Sequence, residues 1–277
     1  MRRDALDPAR NIFTSQFRWA AAIVLLWIPP LHAQRRDLSG IAHVAFRVAD
    51  YEKSRAFYEG LGFEQAFEFA DPGKPRVSYI KVNDRQFIEL YEAATGSQLG
   101  FMHICFESAD LQSLHAAYVS EGLQPTEAKK FRAGNLLFTM NDPEGQLLEF
   151  TQYLPGSLHS NEIGKHLGAH RISGHLQGSS TPAKNLGDQK SFYASKLGFR
   201  AVPRSEKQLE LLGKSQDAIE LLQGVELKPR IVFAVSSLKQ TVKMLRRRHL
   251  TVKALQKKQF YVEDPDGTLV MFTVPSF

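Results

Sequence analysis

The chain of 277 residues is poor in cysteine, with Cys105 standing alone. No intramolecular disulfide can form, so stability in an oxidising compartment has to come from packing or from a bound metal. Charge of one sign is scarce as well: 35 Lys and Arg face 29 Asp and Glu, for a net charge of +6. That small excess tolerates an acidic ligand or an anionic surface and selects no partner. The basic clusters, Arg246-Arg247-Arg248 and Lys257-Lys258, are not interleaved with stacking aromatics, which argues against a nucleic-acid surface. The apolar run from Trp19 to Leu31 covers 13 residues and is broken by Pro29 and Pro30, too short to span a bilayer comfortably.

That run has a specific context. Arg2, Arg3, Arg10 and Arg18 precede it, and Leu31-His32-Ala33 before Gln34 has the form of a cleavage site. Residues 1–33 are therefore expected to be a signal peptide, which makes the protein exported, periplasmic or secreted, with no stable membrane insertion after removal. Asp4 and Asp7 are unusual in a basic leader, and an uncleaved anchor is the alternative.

What the sequence has in place of these features is a repeated phrase. His43-Val44-Ala45-Phe46-Arg47-Val48-Ala49-Asp50 is answered 60 positions later by His103-Ile104-Cys105-Phe106-Glu107-Ser108-Ala109-Asp110. Ile88-Glu89-Leu90 is answered by Leu148-Glu149-Phe150, so a Glu follows each His by 46 residues. A shared period means one supersecondary unit used twice, and a pseudo-twofold brings equivalent positions together. Here those positions are His43, Glu89, His103 and Glu149. Imidazole and carboxylate suit one divalent ion among Zn, Ni, Mn, Co and Fe, with one or two coordination positions left for water or substrate.

The local patterns place these residues on strands. Ile41 to Val48 alternates, with Val44, Phe46 and Val48 on one face and His43, Ala45 and Arg47 on the other. Asp50 caps a helix running through Gly60, and Gly62 ends it in the left-handed conformation. Val77 to Val82 and Gln86 to Glu92 read as strands, with Ile88 and Leu90 on the core side and Phe87, Glu89 and Tyr91 opposite. The second unit repeats the order: strand Phe101 to Phe106, helix Asp110 to Gly122, strands Leu136 to Met140 and Gln146 to Tyr153. The common face is expected to be a half-apolar cup holding the four ligands, the usual look of a small-molecule site.

Residues 156–169 read as a linker, and His159, His166 and His170, which lie in or beside it without ligand spacing, are expected to be solvated. A larger period follows. Phe192-Tyr193 with Leu197-Gly198-Phe199 repeats Phe57-Tyr58 with Leu61-Gly62-Phe63, and Asp264-Pro265-Asp266-Gly267 repeats Asp142-Pro143-Glu144-Gly145. Aligning these anchors sets His175 against His43, Glu220 against Glu89, Arg230 against His103 and Met271 against Glu149. A cation and a thioether in place of two ligands make a second metal centre improbable. A structural role is expected for this half, with Ser237 opening an amphipathic helix that closes at Arg246-Arg247-Arg248.

The βαβββ unit used twice, with ligands in the order His, Glu, His, Glu, resembles the vicinal oxygen chelate superfamily of glyoxalases, bleomycin resistance proteins and extradiol dioxygenases. The resemblance covers residues 38 to 155 strongly and 170 to 276 weakly. It implies an α+β fold of tandem domains, each of two βαβββ modules forming a cup-shaped mixed sheet with flanking helices. The site-bearing domain would be 38–155 and a degenerate one 170–276. It implies a metal held by His43, Glu89, His103 and Glu149, and a small-molecule substrate with vicinal oxygens. By the same analogy a glyoxalase- or epimerase-like lyase or isomerase is expected, with Glu149 as first choice of base and Glu89 as second. The dioxygenase signature is incomplete: Thr139 stands where its Tyr belongs, and Phe131 and Arg132 occupy the region of its His. A ring-cleaving dioxygenase and a binding or resistance protein without catalysis are the alternatives, and a homodimer is left open.

Overall fold

Val44, Phe46 and Val48 point from one side of strand β1 (Leu38–Val48) into the hydrophobic core, as their alternation requires. In the computed structural model, which describes residues 38–205, 208–212, 217–223, 230–256 and 259–274, this strand opens the first of two eight-stranded sheets. The expected leader, residues 1–33, and the Lys257-Lys258 pair lie outside the described residues.

The Asp50 carboxylate accepts from the Lys53 amide at 3.0 Å and starts helix α1 (Tyr51–Gly60). Gly62, at φ +86°, carries the chain out of that helix. A Cβ there would lie 2.4 Å from the carbonyl oxygen of His170, so two backbones meet at this point. Strands β2 (Glu64–Phe69), β3 (Val77–Lys81) and β4 (Phe87–Glu92) complete the first module. The second module runs β5 (Gly100–Ser108), α2 (Leu111–Ser120), β6 (Lys129–Lys130), β7 (Leu136–Asn141) and β8 (Leu147–Gln152). Strands β2 and β6 carry no clean alternation: residues 65–69 are all half-buried and the Lys129–Lys130 pair is exposed.

The sheet order is β2-β3-β4-β1-β5-β8-β7-β6. β1 and β5 lie antiparallel at the centre, with β4 parallel to β1 and β8 parallel to β5. A short helix α3 (Leu158–Asn161) then leads to a second sheet. Its elements are β9 (Leu176–Pro182), α4 (Leu186–Lys190) continuing as a π-helical stretch over Ser191–Lys196, β10 (Arg200–Ser205), β11 (Gln208–Leu212) and β12 (Ala218–Leu222). β13 (Arg230–Ala234), α5 (Leu238–Arg247), β14 (Lys253–Gln256), β15 (Gln259–Glu263) and β16 (Leu269–Thr273) follow. The order β10-β11-β12-β9-β13-β16-β15-β14 is the first order repeated.

The two halves exchange matching contacts. The buried Tyr58 hydroxyl donates to Asp264 at 3.1 Å, and the buried Tyr193 hydroxyl donates to Asp142 at 3.3 Å. Asp266 receives the Ala49 amide at 3.0 Å, while Glu144 receives the Lys184 and Asn185 amides at 2.8 Å. Gln86 and Asp217 stand one residue before β4 and β12. Gln86 accepts from the Leu176 amide and Asp217 from the Ile41 amide, both at 2.8 Å. The apolar residues of both halves form one cluster, joined where Phe63 meets Phe233 at 5.1 Å and Phe106 meets Phe199 at 5.3 Å between ring centroids.

The second sheet corrects one alignment. Ser180 pairs with both Glu220 and Arg230, as Ala45 pairs with both Glu89 and His103, so Glu220 and Arg230 hold the expected positions. Counting two residues back, Gly178, not His175, stands where His43 stands. Gly178 precedes Glu220 by 42 residues whereas His43 precedes Glu89 by 46, so the shorter loops of the second half misplace a His counted back from Glu220. His175 precedes β9 and pairs with Asp217 at 2.8 Å. A Cβ on Gly178 would lie 2.3 Å from the carbonyl oxygen of Ala218, which leaves no room for an imidazole there.

Candidate metal centre

Strand pairing explains why residues so far apart in sequence meet. Ala45 on β1 lies between Glu89 on β4 and His103 on β5, and Cys105 on β5 lies between His43 on β1 and Glu149 on β8. The two small residues sit between ligand candidates on either side. The result is a cluster in which the His43 and His103 Nε2 atoms are 3.1 Å apart, and a Glu149 oxygen lies 3.5 Å from the first and 3.4 Å from the second. One ligand atom from each of His43, His103 and Glu149 falls within a 4.8 Å span.

Glu89, the fourth expected ligand, stands beside this trio with a different partner. Its Oε1 is 3.3 Å from Nδ1 of His43, its Oε2 is 3.9 Å from Nε2 of His103, and the Tyr91 hydroxyl donates to it at 3.0 Å. Both imidazoles and Glu89 are buried.

Burial sets the protonation of the cluster. Desolvation lowers the His43 pKa to about 3 and that of His103 to about 4, the latter opposed by the Glu149 charge. Both rings are neutral at pH 7, so their contacts with the carboxylates are not ion pairs. Desolvation, reinforced by the Glu149 charge, pushes the Glu89 carboxyl well above its usual range, with the Tyr91 hydrogen bond opposing. Glu149 is raised by desolvation against the pull of His103.

Two neutral imidazoles whose Nε2 atoms meet at 3.1 Å beside a shared carboxylate oxygen, with buried Nδ1 atoms that make no hydrogen bond, leave the cluster only partly satisfied by its own members. One nitrogen from each imidazole and one Glu149 oxygen lie close enough together to share a cation, and the site suits one divalent metal ion. Two His and one carboxylate with open positions is also the ligand set of non-haem Fe(II) sites. In the second half the corresponding positions hold Gly178, Glu220, Arg230 and Met271. There Ser180 donates to Glu220 at 2.7 Å and the Arg230 guanidinium lies 3.5 Å from the same oxygen, so a side-chain cation already partners the carboxylate.

Above the cluster opens a cavity of about 270 Å³, lined among the described residues by side chains between His43 and His159. Phe69, Tyr79, Tyr91, Phe131 and Tyr153 form apolar wall, and Glu89, Glu149 and Thr139 contribute oxygens. Arg132, at the same cavity, stacks 3.9 Å from the Phe69 ring centroid and pairs with Asp71 at 2.6 Å.

The cavity also contains a residue that the sequence reading placed in solvent. His159 is buried at 3 % exposure among Phe67, Tyr79, Phe87 and Tyr153. Its partner Asn135, which carries no sequence signal, is 5 % exposed. The only hint in the sequence is Ser157, whose hydroxyl accepts from the Ser160 amide and starts the one-turn helix α3. By contrast His166 is half exposed beside Glu162, and His170 is exposed, as expected.

The sheet order and the buried His and carboxylate cluster define the class: a tandem α+β protein whose first sheet carries a cluster suited to one metal ion. Residues 40–150 match the model of the Glyoxalase/Bleomycin resistance protein/Dioxygenase superfamily. The matched stretch lies within the first sheet, and the second sheet repeats that sheet's strand order. The chain resembles the 2,3-dioxygenase LapB from Pseudomonas sp. KL28 at 17% identity and a TM-score of 0.69, over 87% of this chain and 93% of that one. It also resembles the Mn(II)-bound glyoxalase from Novosphingobium aromaticivorans at 16% identity and a TM-score of 0.65, over 86% and 82%. Homoprotocatechuate 2,3-dioxygenase from Brevibacterium fuscum, in complex with 3,4-dihydroxyphenylacetate, matches at 18% identity and a TM-score of 0.64, over 87% and 82%. No curated protein matches the chain in sequence. At these identities the likeness concerns the fold.

Proposed function

We propose that this protein is a metal-dependent lyase or isomerase of the glyoxalase or epimerase type, acting on a small molecule that presents vicinal oxygens. The observation that carries the reading is the pair of buried carboxylates at one metal-competent cluster. Glu149 belongs to the cluster, and Glu89 lies within 3.9 Å of His103. A bound divalent cation would supply Lewis-acid stabilisation of negative charge on a substrate oxygen. The chain supplies the rest. Glu149, its pKa raised by burial, takes the proton from the carbon next to a carbonyl and returns it to a neighbouring position, with no net change of oxidation state. Glu89, held by the Tyr91 hydroxyl, is the second candidate for this role. The aromatic walls exclude water from the transferred proton and orient the body of the substrate. The basic, apolar leader supports an exported protein, which favours an extracellular α-hydroxy carbonyl compound over a cytosolic thioester or glutathione adduct.

A ring-cleaving dioxygenase is the second reading, favoured by one observation: the three atoms that converge best are two imidazole nitrogens and one carboxylate oxygen. Against it, Thr139, Phe131 and Arg132 line the cavity in the regions where the dioxygenase signature has its Tyr and His.

Elemental analysis of protein purified without chelators is expected to give one divalent ion per chain. That ion should be lost in His103→Ala and retained in Arg230→Ala; equal loss in both would remove the first half as the site. On metal-loaded protein, deuterium exchange at the carbon next to the carbonyl of α-hydroxy carbonyl compounds, followed by NMR, is expected to fall roughly 10²- to 10⁴-fold in Glu149→Gln. Oxygen uptake with catechols and no such exchange would favour the dioxygenase instead.

A further inference from the structure

Two side chains that line the cavity outside the ligand cluster carry buried polar atoms with no partner: Nε2 of His159 and Oδ1 of Asn135. His159 comes from α3, beyond the last strand of the first sheet. Its ring lies parallel to Tyr153 at 4.7 Å, and the rings of Phe67, Tyr79 and Phe87 meet it edge-on at 5.0, 5.3 and 4.8 Å. Four aromatic neighbours fix its plane. The Asn135 amide nitrogen then donates to Nδ1 at 2.7 Å.

Chemistry decides where the imidazole proton sits. An amide nitrogen can only donate, so Nδ1 offers its lone pair. Burial lowers the pKa of the ring to about 3, which keeps it neutral at ordinary pH. The single proton is therefore on Nε2. The two bonded residues thus present a free N–H donor and a free C=O acceptor. Leaving such a buried group unpaired costs about 1–3 kcal/mol, and the pair matches a group that both accepts and donates. A hydroxyl is that group.

We infer that His159 and Asn135 form a hydroxyl-reading subsite and determine specificity for a compact, ring-sized substrate that carries a hydroxyl beyond its chelating oxygens. This rests on the metal-dependent reading proposed above. The size follows from the cavity: about 150 Å³ suffices for a benzene ring, and this cavity of about 270 Å³ has room for a ring with substituents. His159 and Asn135 would take the hydroxyl, while Phe69, Tyr79 and Phe131, which line the same cavity, offer apolar surface to the ring.

The test uses benzohydroxamate, a planar bidentate oxygen chelator, against its 3-hydroxy and 4-hydroxy analogues on the Zn-loaded full chain, by calorimetric titration after the metal-to-protein ratio has been measured. One of the hydroxy analogues is expected to bind roughly tenfold more tightly than the parent. His159→Phe, which keeps an aromatic ring and loses the donor, should abolish the preference with the metal ratio unchanged. His159→Gln, which keeps an N–H, should restore part of it. A protein that takes up no metal would overturn the function reading itself. Metal-loaded protein that binds none of the three compounds, or binds them equally, or keeps its preference in His159→Phe, would overturn the subsite alone and assign the two free atoms to water.

Discussion

At the scale of single residues the cup is an unusual concentration of neutral histidine. Burial holds His43 near pKa 3, His103 near 4 and His159 near 3, against 6.5 in the unfolded chain. Between those values and 6.5 the unfolded chain binds more protons than the folded one, so stability falls as the pH falls through that window. Each such histidine contributes a slope of about 1.4 kcal/mol per pH unit once the unfolded state is protonated. The raised Glu89 and Glu149 act in the opposite sense: the folded form keeps their protons longer, and they favour folding as the pH drops from their folded values toward 4.5. Metal-free protein is therefore expected to lose stability between pH 6 and pH 5 in denaturant titrations. His159→Phe, which leaves the metal cluster intact, should flatten the loss by about one proton's slope. An unchanged slope in that variant would mean that His159 is not held neutral by burial.

At the scale of elements, the segment that carries His159 is built into the first half by one lysine. Lys81 on β3 is fully buried, yet its ammonium is satisfied: it donates to the carbonyls of Glu162 and Lys165 and pairs with Asp84 at 2.7 Å. The Gly164 amide also donates to Asp84, at 2.8 Å. The connecting segment is thereby clipped to β3 and its following turn, and it carries His159, which lines the cavity. Lys81→Met is expected to cost about 1–3 kcal/mol through the carbonyls it leaves unpaired. Amide hydrogen exchange across residues 158–166 should accelerate more than exchange in β1 or β5. Uniform change across the whole sheet would show that Lys81 supports the core and not the connecting segment. Among the described residues, no helix is long and apolar enough to cross a membrane.

At the scale of the whole molecule the second half is a partner in folding. Its Asp264 and Asp266 receive groups from around α1, and Asp142 and Glu144 of the first half receive groups from around α4, while one apolar cluster runs through both sheets. Among the described residues the cavity draws its lining from between His43 and His159, and the contacts of the second half fall on other parts of the first. Thermal unfolding is expected to be a single transition in which metal release and loss of both sheets coincide. Two separate transitions in calorimetry, with the metal retained through the first, would contradict it. Asp264→Ala, which strips the buried Tyr58 hydroxyl of its acceptor, should lower that one transition by about 1–3 kcal/mol.

The sequence by itself determined the repeated module, the strands bearing the ligands and the identity of the candidate cluster. It could do so because the 60-residue repeat and the 46-residue spacing from His to Glu are local facts, and strand alternation turns them into a common face. It also located Glu220, Arg230 and Met271, whose anchors sit on strands. It misplaced the counterpart of His43 because that position was reached across loops whose lengths differ between the halves. Only the tertiary structure decided that His43, His103 and Glu149 converge while Glu89 leans on the far nitrogen of His43, since a shift of a few ångströms in side-chain reach leaves no trace in spacing. Only it brought His159 out of the linker and against Asn135, because the four rings that bury this imidazole come from three strands and the start of the connecting segment, and no periodicity links them.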